Sequence, residues 1–230
     1  MIEEPTWRQL AQRMVREQLR ARGIGDEAVL AAMARVPRHR FIPNEQHIEP
    51  AMAYDDRALP IGLGQTISQP YVVAMMTSEL QVRPGQKVLE VGTGCGYQAA
   101  VLATLGAEVV TIERHEGLAR WAAAALRELG HGEKVRVIVG DGTLGYPAEA
   151  PFDRIIITAG APALPHALVA QLAPGGRIVA PIGDRRNQRL IVYQEHEGRL
   201  IESQGLPCRF VPLIGEQGWE GQESTDSGTE

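Results

Sequence analysis

Glu90, Gly92, Gly94, Gly96, Glu113, Asp141 and Gly142 have the types and spacing to hold one small charged ligand. Glu90 lies near the end of an apolar run, Val88 to Val91, that reads as a buried strand. Three glycines follow at alternate positions, and Ala99, Ala100, Val101, Leu102 and Leu105 then recur at helical spacing. Strand, glycine loop and helix open a nucleotide-binding βαβ unit. The glycines let the backbone turn tightly beside a ligand, and the helix start offers free N–H groups. The spacing is G-x-G-x-G, with Tyr97 where a dinucleotide fingerprint has Gly or Ala. A carboxylate at Glu90 is awkward beside a pyrophosphate and suits a ligand carrying an ammonium group. Both features speak against a nicotinamide oxidoreductase. The same stretch also reads as a plain strand-to-helix turn.

Glu113 follows Gly92 by 21 residues and closes a second predicted strand. In this architecture an acidic residue there meets the ribose hydroxyls, because one carboxylate can accept from both. It also reads as a cap on the following helix. Asp141 and Gly142 end a third predicted strand: the carboxylate could accept an exocyclic amine of adenine, with Gly142 leaving room for the ring. The pair also reads as an ordinary Asp-Gly turn. Three parallel strands would bring Glu90, Glu113 and Asp141 to one sheet edge, around one ligand.

The elements that must position these residues can be read in order. Trp7 to Arg22 is an amphipathic helix, with Leu10, Met14, Val15 and Leu19 on one stripe. Asp26 caps a second helix through Ala34, with Val29, Leu30 and Met33 inward, and Pro37 stops it. Arg38 to Tyr54 reads as loop, and Asp55 to Tyr71 as a shaped loop punctuated by Pro60, Gly62 and Gly64. Ser68 opens a helix to about Leu80, with Pro70 in its first turn. Strands follow at Glu108–Ile112, Val135–Val139 and Phe152–Thr158, the last with an unbroken run from Ile155 to Ile157 that suits a strand covered on both faces. Helices fall at His115–Leu129 and Pro165–Leu172. Pro174 to Gly176 is a turn, and Arg177–Ala180 a fifth strand. Arg189–Gln194 and Leu200–Phe210 pair antiparallel around Gly198. The expected fold is α/β: a Rossmann-like, doubly wound, mostly parallel sheet with helices on both faces and an N-terminal helical layer.

The composition fits one such domain. The chain has 230 residues, 44% of them hydrophobic. There is no run of about 18 apolar residues to span a membrane, and the acidic Met1–Pro5 stretch lacks the apolar core of a signal peptide. Cys95 and Cys208 make no disulfide framework, which points to the cytoplasm. Five acidic and no basic residues lie in 215–230, so removing that stretch from the net −5 leaves 1–214 formally neutral. Residues 215–230 therefore read as an acidic, disordered tail. The body has no basic field for nucleic acid. Arg20, Arg22, Arg35, Arg38 and Arg40 read as solvated, and six isolated histidines give no metal site.

The pattern from Glu90 to Gly96 resembles the first motif of Rossmann-like methyltransferases. A longer resemblance spans Ile24 to Leu213. The loop Pro60-Ile-Gly-Leu-Gly-Gln-Thr-Ile-Ser-Gln-Pro70 is similar to the signature of protein-L-isoaspartate (D-aspartate) O-methyltransferases. Val36-Pro-Arg38 with Phe41, Leu89 to Tyr97, Gly140 to Gly142, Ala150 to Asp153, Pro174 to Gly176 and Arg209 to Leu213 resemble further segments of that family. The resemblance implies S-adenosyl-L-methionine as cofactor, S-adenosyl-L-homocysteine as product, and isoaspartyl or D-aspartyl residues in damaged proteins and peptides as substrate. It implies Ser68 as the active-site residue, with Gln65, Thr66 and Ile67 lining the same pocket and Val211 closing over the substrate. One departure is Ile214, where some relatives have Thr; it cannot donate a side-chain hydrogen bond.

The implied chemistry needs little from the protein. An isoaspartyl residue leaves its α-carboxylate free, and that group is an anion at neutral pH. It requires no general base before attacking a sulfonium methyl, and no His-Asp pair sits in a motif. Ser68 Oγ can hold the carboxylate, and N–H groups at the helix start can add to its grip. Ser68 also reads as a routine helix cap. Other readings remain: a methyl acceptor that is a small molecule or RNA, or a protein that binds the cofactor without turnover. The expected organisation is one domain over 1–214, with helices and substrate loop in 1–80 and the Rossmann-like core in 81–214. The expected assembly is a monomer binding neither nucleic acid nor membrane.

Overall fold

Side-chain alternation along the central strand separates two cores. The computed structural model describes residues 4–221, and strand β3 (Lys87–Val91) lies in the middle of its main sheet. Val88 faces a cluster with Val109, Ile156 and Val179, covered by the N-terminal helices. Leu89 and Val91 face the other side, with Val110, Ile112, Ile155 and Ile157. Period-2 geometry puts Glu90 on the Val88 face, the one covered by helices. Burying each of these side chains contributes about 1.5–3 kcal/mol.

The main sheet runs β5 (Val135–Val139), β4 (Glu108–Glu113), β3, β6 (Phe152–Ile157), β7 (Leu172–Gly183), β8 (Gln188–His196), β9 (Arg199–Cys208). The first five are parallel; β8 and β9 are antiparallel. The β8–β9 hairpin turns through Glu197 and Gly198, both with positive φ, at the expected glycine. Pro174 to Gly176 is not a separate turn. It is a bulge inside β7, where Phe152 pairs with Leu172 but Arg154 pairs with Arg177. The expected helix over 165–172 is shorter, α6 (His166–Val169).

Helices α3 (Pro70–Leu80), α4 (Tyr97–Thr104) and α5 (Glu116–Glu128) supply the flanking layers. α4 buries every residue from Tyr97 to Ala103, which explains its small side chains. The first helix, α1 (Glu4–Met14), continues through a wide turn and a tight one to Arg22, where Gly23 at φ 94° ends it. α2 (Glu27–Arg35) is capped as expected: Asp26 accepts from the N–H groups of Ala28 and Val29 at 3.0 and 3.1 Å.

Two segments differ from the sequence reading. Residues 38–54 form three short helical turns rather than open loop. The shaped loop before α3 is a β-hairpin, β1 (Leu59–Gly62) against β2 (Gln65–Ile67), turning through Leu63 and Gly64. Gly215 to Trp219, expected within an unstructured tail, folds back on the domain: Trp219 donates its backbone N–H to Leu213 and its indole N–H to Gly160. The remainder of that tail, 222–230, and residues 1–3 lie outside the described residues. Among the described residues no helix is long and apolar enough to cross a membrane.

Candidate active site

The chain leaves β3 for β4 on one side and later returns to β6 on the other. Ligands of such sheets bind at the carboxyl ends of the strands at this reversal. A cavity of about 290 Å³ opens there, walled by the glycine loop, the β1–β2 hairpin and the segment after β9.

The glycine loop is fixed from both neighbours. The N–H groups of Gly92 and Thr93 donate to the Ile112 carbonyl, and Thr158 Oγ1 donates to the Gly92 carbonyl at 2.6 Å. Gly92 has φ 99°, and a Cβ there would sit 2.4 Å from Thr158 Oγ1. Gly92 and Gly94 line the cavity. Gly96 does not: it precedes α4, and a Cβ would press on Leu126 at 3.1 Å. Its role is packing against α5.

Glu90 lines the cavity with no exposed surface, and both carboxylate oxygens lack a hydrogen-bond partner among the described residues. Burial, chiefly, and then the nearby Glu113 push its pKa up to about 8. An unpaired buried carboxylate calls for a cation, as the ammonium of an amino-acid ligand would supply. Glu113 is also buried but engaged: Oε2 accepts from Gly94 N–H and Oε1 from His115 N–H, each at 2.9 Å. It therefore does act at the start of the next helix. Each oxygen keeps a second lone pair for a ribose hydroxyl.

Asp141 is set apart. It does not line the cavity; Oδ1 accepts from the N–H and hydroxyl of Thr143, and Oδ2 accepts from the N–H of Glu216 at 2.7 Å. Those hydrogen bonds hold its pKa below the ordinary value, although burial opposes them. Gly142 lines the cavity, and its missing Cβ makes room for Val91, 2.6 Å from where that atom would lie.

The substrate-side residues gather as expected. Gln65, Thr66, Ile67 and Ser68 line the cavity, and Val211 and Ile214 face it from the far end of the chain. Ser68, however, is not the helix cap. α3 starts at Pro70, and Asp56 Oδ1 accepts from the Tyr71 N–H at 3.0 Å while Oδ2 holds the Gln69 side chain. The Ser68 hydroxyl makes no hydrogen bond among the described residues, so it is available to a ligand. Gly160 N–H donates to the Val211 carbonyl, and Leu213 N–H to the Gly160 carbonyl, which seats the last segment on the end of β6.

Sequence reasoning missed Arg38, read as a solvated arginine. It is fully buried behind the hairpin, donating from Nη2 to the Ser68 carbonyl at 2.7 Å. The signal was its place between Pro37 and Phe41, in a segment already matched to the family. Cys95 does line the cavity, and burial pushes its thiol up to about 12, which keeps it a neutral filler.

The family model of protein-L-isoaspartate(D-aspartate) O-methyltransferase matches residues 9–218. The protein-L-isoaspartate O-methyltransferase of Methanoculleus marisnigri is 51% identical over 223 residues, 97% of this chain and 100% of its own. That of Herpetosiphon aurantiacus is 52% identical over 214 residues, 93% of this chain and 94% of its own. A solved protein-L-isoaspartate O-methyltransferase superposes with TM-score 0.82 at 28% identity, covering 92% of this chain and 67% of that one. A putative one from Plasmodium falciparum, in complex with S-adenosyl-L-homocysteine, gives TM-score 0.78 at 25% identity, covering 89% and 98%.

Proposed function

The chain belongs to the protein-L-isoaspartate(D-aspartate) O-methyltransferase family, and on that premise we propose how its residues perform carboxyl methylation. It is an S-adenosylmethionine-dependent enzyme acting on isoaspartyl residues of proteins and peptides. The observation that supports this reading is a pairing inside one cavity: a buried carboxylate without a partner at Glu90, and an unengaged hydroxyl at Ser68. Glu90 would hold the ammonium end of the cofactor, and Glu113 its ribose hydroxyls. Asp141 has one lone pair left on Oδ2 for the adenine amine, and Gly92, Gly94 and Gly142 set the wall. When bound, S-adenosyl-L-methionine supplies an electrophilic methyl on a sulfonium.

Ser68 Oγ donates a hydrogen bond to the substrate α-carboxylate and so aims one oxygen at the methyl. Gln65, Thr66 and Ile67 shape the pocket around it, and Val211 covers the peptide. No base is needed, because the carboxylate is already ionised. Alignment and exclusion of water carry the rate. Methylation gives the carboxyl carbon a methoxide leaving group, so the adjacent backbone nitrogen attacks that carbonyl and closes a succinimide with loss of methanol. Hydrolysis of that ring returns part of the material to normal aspartate. We place the enzyme in the cytoplasm as a monomer without nucleic-acid or membrane partners, with one domain that extends past residue 214 through Trp219.

The test is methyl transfer from labelled S-adenosylmethionine to a peptide with one isoaspartyl linkage and to its aspartyl twin. Transfer to the isoaspartyl peptide alone is expected. Equal transfer to both would move the acceptor elsewhere.

A further inference from the structure

The mechanism above leaves one buried cation without a task. Arg38 has no exposed surface. Its Nε donates to the Ala53 carbonyl and its Nη2 to the Ser68 carbonyl, each at 2.7 Å, while Nη1 has no partner. The guanidinium lies over the Tyr97 ring, 4.9 Å from its centroid. No acidic side chain among the described residues is within ion-pair distance. An arginine stays protonated in proteins, so this is a buried charge whose counter-ion is missing.

Its place gives the missing anion an address. Ser68 and Tyr97, which Arg38 touches, both line the cavity. Glu90 lies at one end, where a cofactor ammonium would favour its ionised form, and Arg38 makes the Ser68 end positive. Helix α3 cannot supply that positive field unaided, because Asp56 already engages its N-terminus.

We propose that Arg38 is a positioning residue for the acceptor: held beneath Ser68, its uncompensated charge draws an anionic carboxylate to the Ser68 hydroxyl and rejects a neutral group there. This rests on the carboxyl-methylation reading. Charge on the carboxylate is cancelled as the methyl transfers, so the field favours bound substrate over the transition state. It acts on binding and selection more than on turnover.

The experiment measures calorimetric affinity of the full chain, loaded with S-adenosylhomocysteine, for two peptides. One carries an isoaspartyl residue; its twin carries an α-carboxamide in place of the α-carboxylate. The wild type is expected to favour the carboxylate by about tenfold or more. Arg38→Met should cut that preference to within about threefold while S-adenosylhomocysteine affinity is unchanged. Arg38→Lys, which keeps charge but loses the fork, should retain most of it. A purely structural arginine would weaken both peptides alike and leave their ratio intact; that result overturns the proposal. Where Arg38→Met does not fold, loss of the preference in a folded Arg38→Lys overturns it equally. A wild type that binds neither peptide removes the carboxyl-methylation reading itself, an outcome separate from a ratio that survives in Arg38→Met.

Discussion

The Glu113 carboxylate receives the Gly94 N–H at 2.9 Å, so the end of β4 pins the glycine loop at the end of β3. Its other oxygen takes the His115 N–H before α5. One side chain thus joins the loop, the second strand and the next helix. Replacing it with Gln removes the charge and one acceptor, leaving an N–H or a ribose hydroxyl unmatched. A hydrogen bond to a charged group contributes about 1.5–3 kcal/mol. Glu113→Gln should therefore weaken S-adenosylhomocysteine binding about ten- to hundredfold by calorimetry. Unchanged affinity would assign Glu113 to the loop alone.

Glu90 gives the free protein a pH dependence of defined sign. Its pKa is raised from 4.5 to about 8 in the folded chain. Between those values the unfolded chain has lost the proton that the folded chain keeps, so stability falls as pH rises through the interval and levels off above it. Cofactor bound through an ammonium reverses this, because it favours the ionised carboxylate. Melting temperature of the free protein should drop across that window relative to Glu90→Gln, and saturating S-adenosylhomocysteine should flatten the difference. Binding near neutral pH should release a proton, seen as a buffer-dependent calorimetric enthalpy. No proton release would mean that Glu90 meets no cation.

Ser68 and Asp56 divide two tasks that one serine could have performed. Because Asp56 caps α3, Ser68→Ala should leave melting temperature and cofactor affinity near wild type while turnover falls at least about tenfold, as loss of one charge-assisted hydrogen bond requires. Asp56→Ala should do the reverse in kind, costing stability by about 1 kcal/mol for the lost cap. The hydrogen bond that Asp56 Oδ2 accepts from the Gln69 side chain and its ion pair with Arg22 add to that cost. A large stability loss in Ser68→Ala would return the capping role to the serine.

What the sequence disclosed, and what it hid, follows from where each signal is written. Asp26, Gly198 and the run Ile155 to Ile157 are local: a cap, a turn and a two-faced strand each declare themselves within a few residues. The position of Glu90 and Glu113 at the mouth of the sheet was equally legible, since strand ends place them, and both line the cavity. Arg38 was not. Its burial depends on the carbonyls of Ala53 and Ser68, 15 and 30 residues away, and its charge alone does not separate it from the exposed Arg20 or Arg22; only its place between Pro37 and Phe41 does. Ser68 looked like a cap because Ser two residues before Pro70 often is one; the actual cap comes from Asp56, 15 residues before the N–H it satisfies. Asp141 was placed correctly at the end of β5, but its link to the Glu216 N–H joins positions 75 apart and has no sequence sign.

The β1–β2 hairpin escaped notice because its turn uses Leu63, a residue ill suited to the backbone it adopts. Leu63 has φ 51° and is 62% exposed, while Gly64 beside it has φ 69°. Two positive φ values mark a primed turn, for which Asn-Gly is the favoured pair. A side chain in that region carries a strain that Asn relieves, by roughly 0.5–1 kcal/mol. The apolar residue has a different use: it lines the mouth of the cavity next to Gln65. Leu63→Asn should therefore raise the melting temperature slightly and raise the KM for isoaspartyl peptide, with kcat and S-adenosylhomocysteine affinity unchanged. A variant more stable with unaltered KM would show that the tip of the hairpin touches no substrate, and that the strain at Leu63 serves nothing at this site.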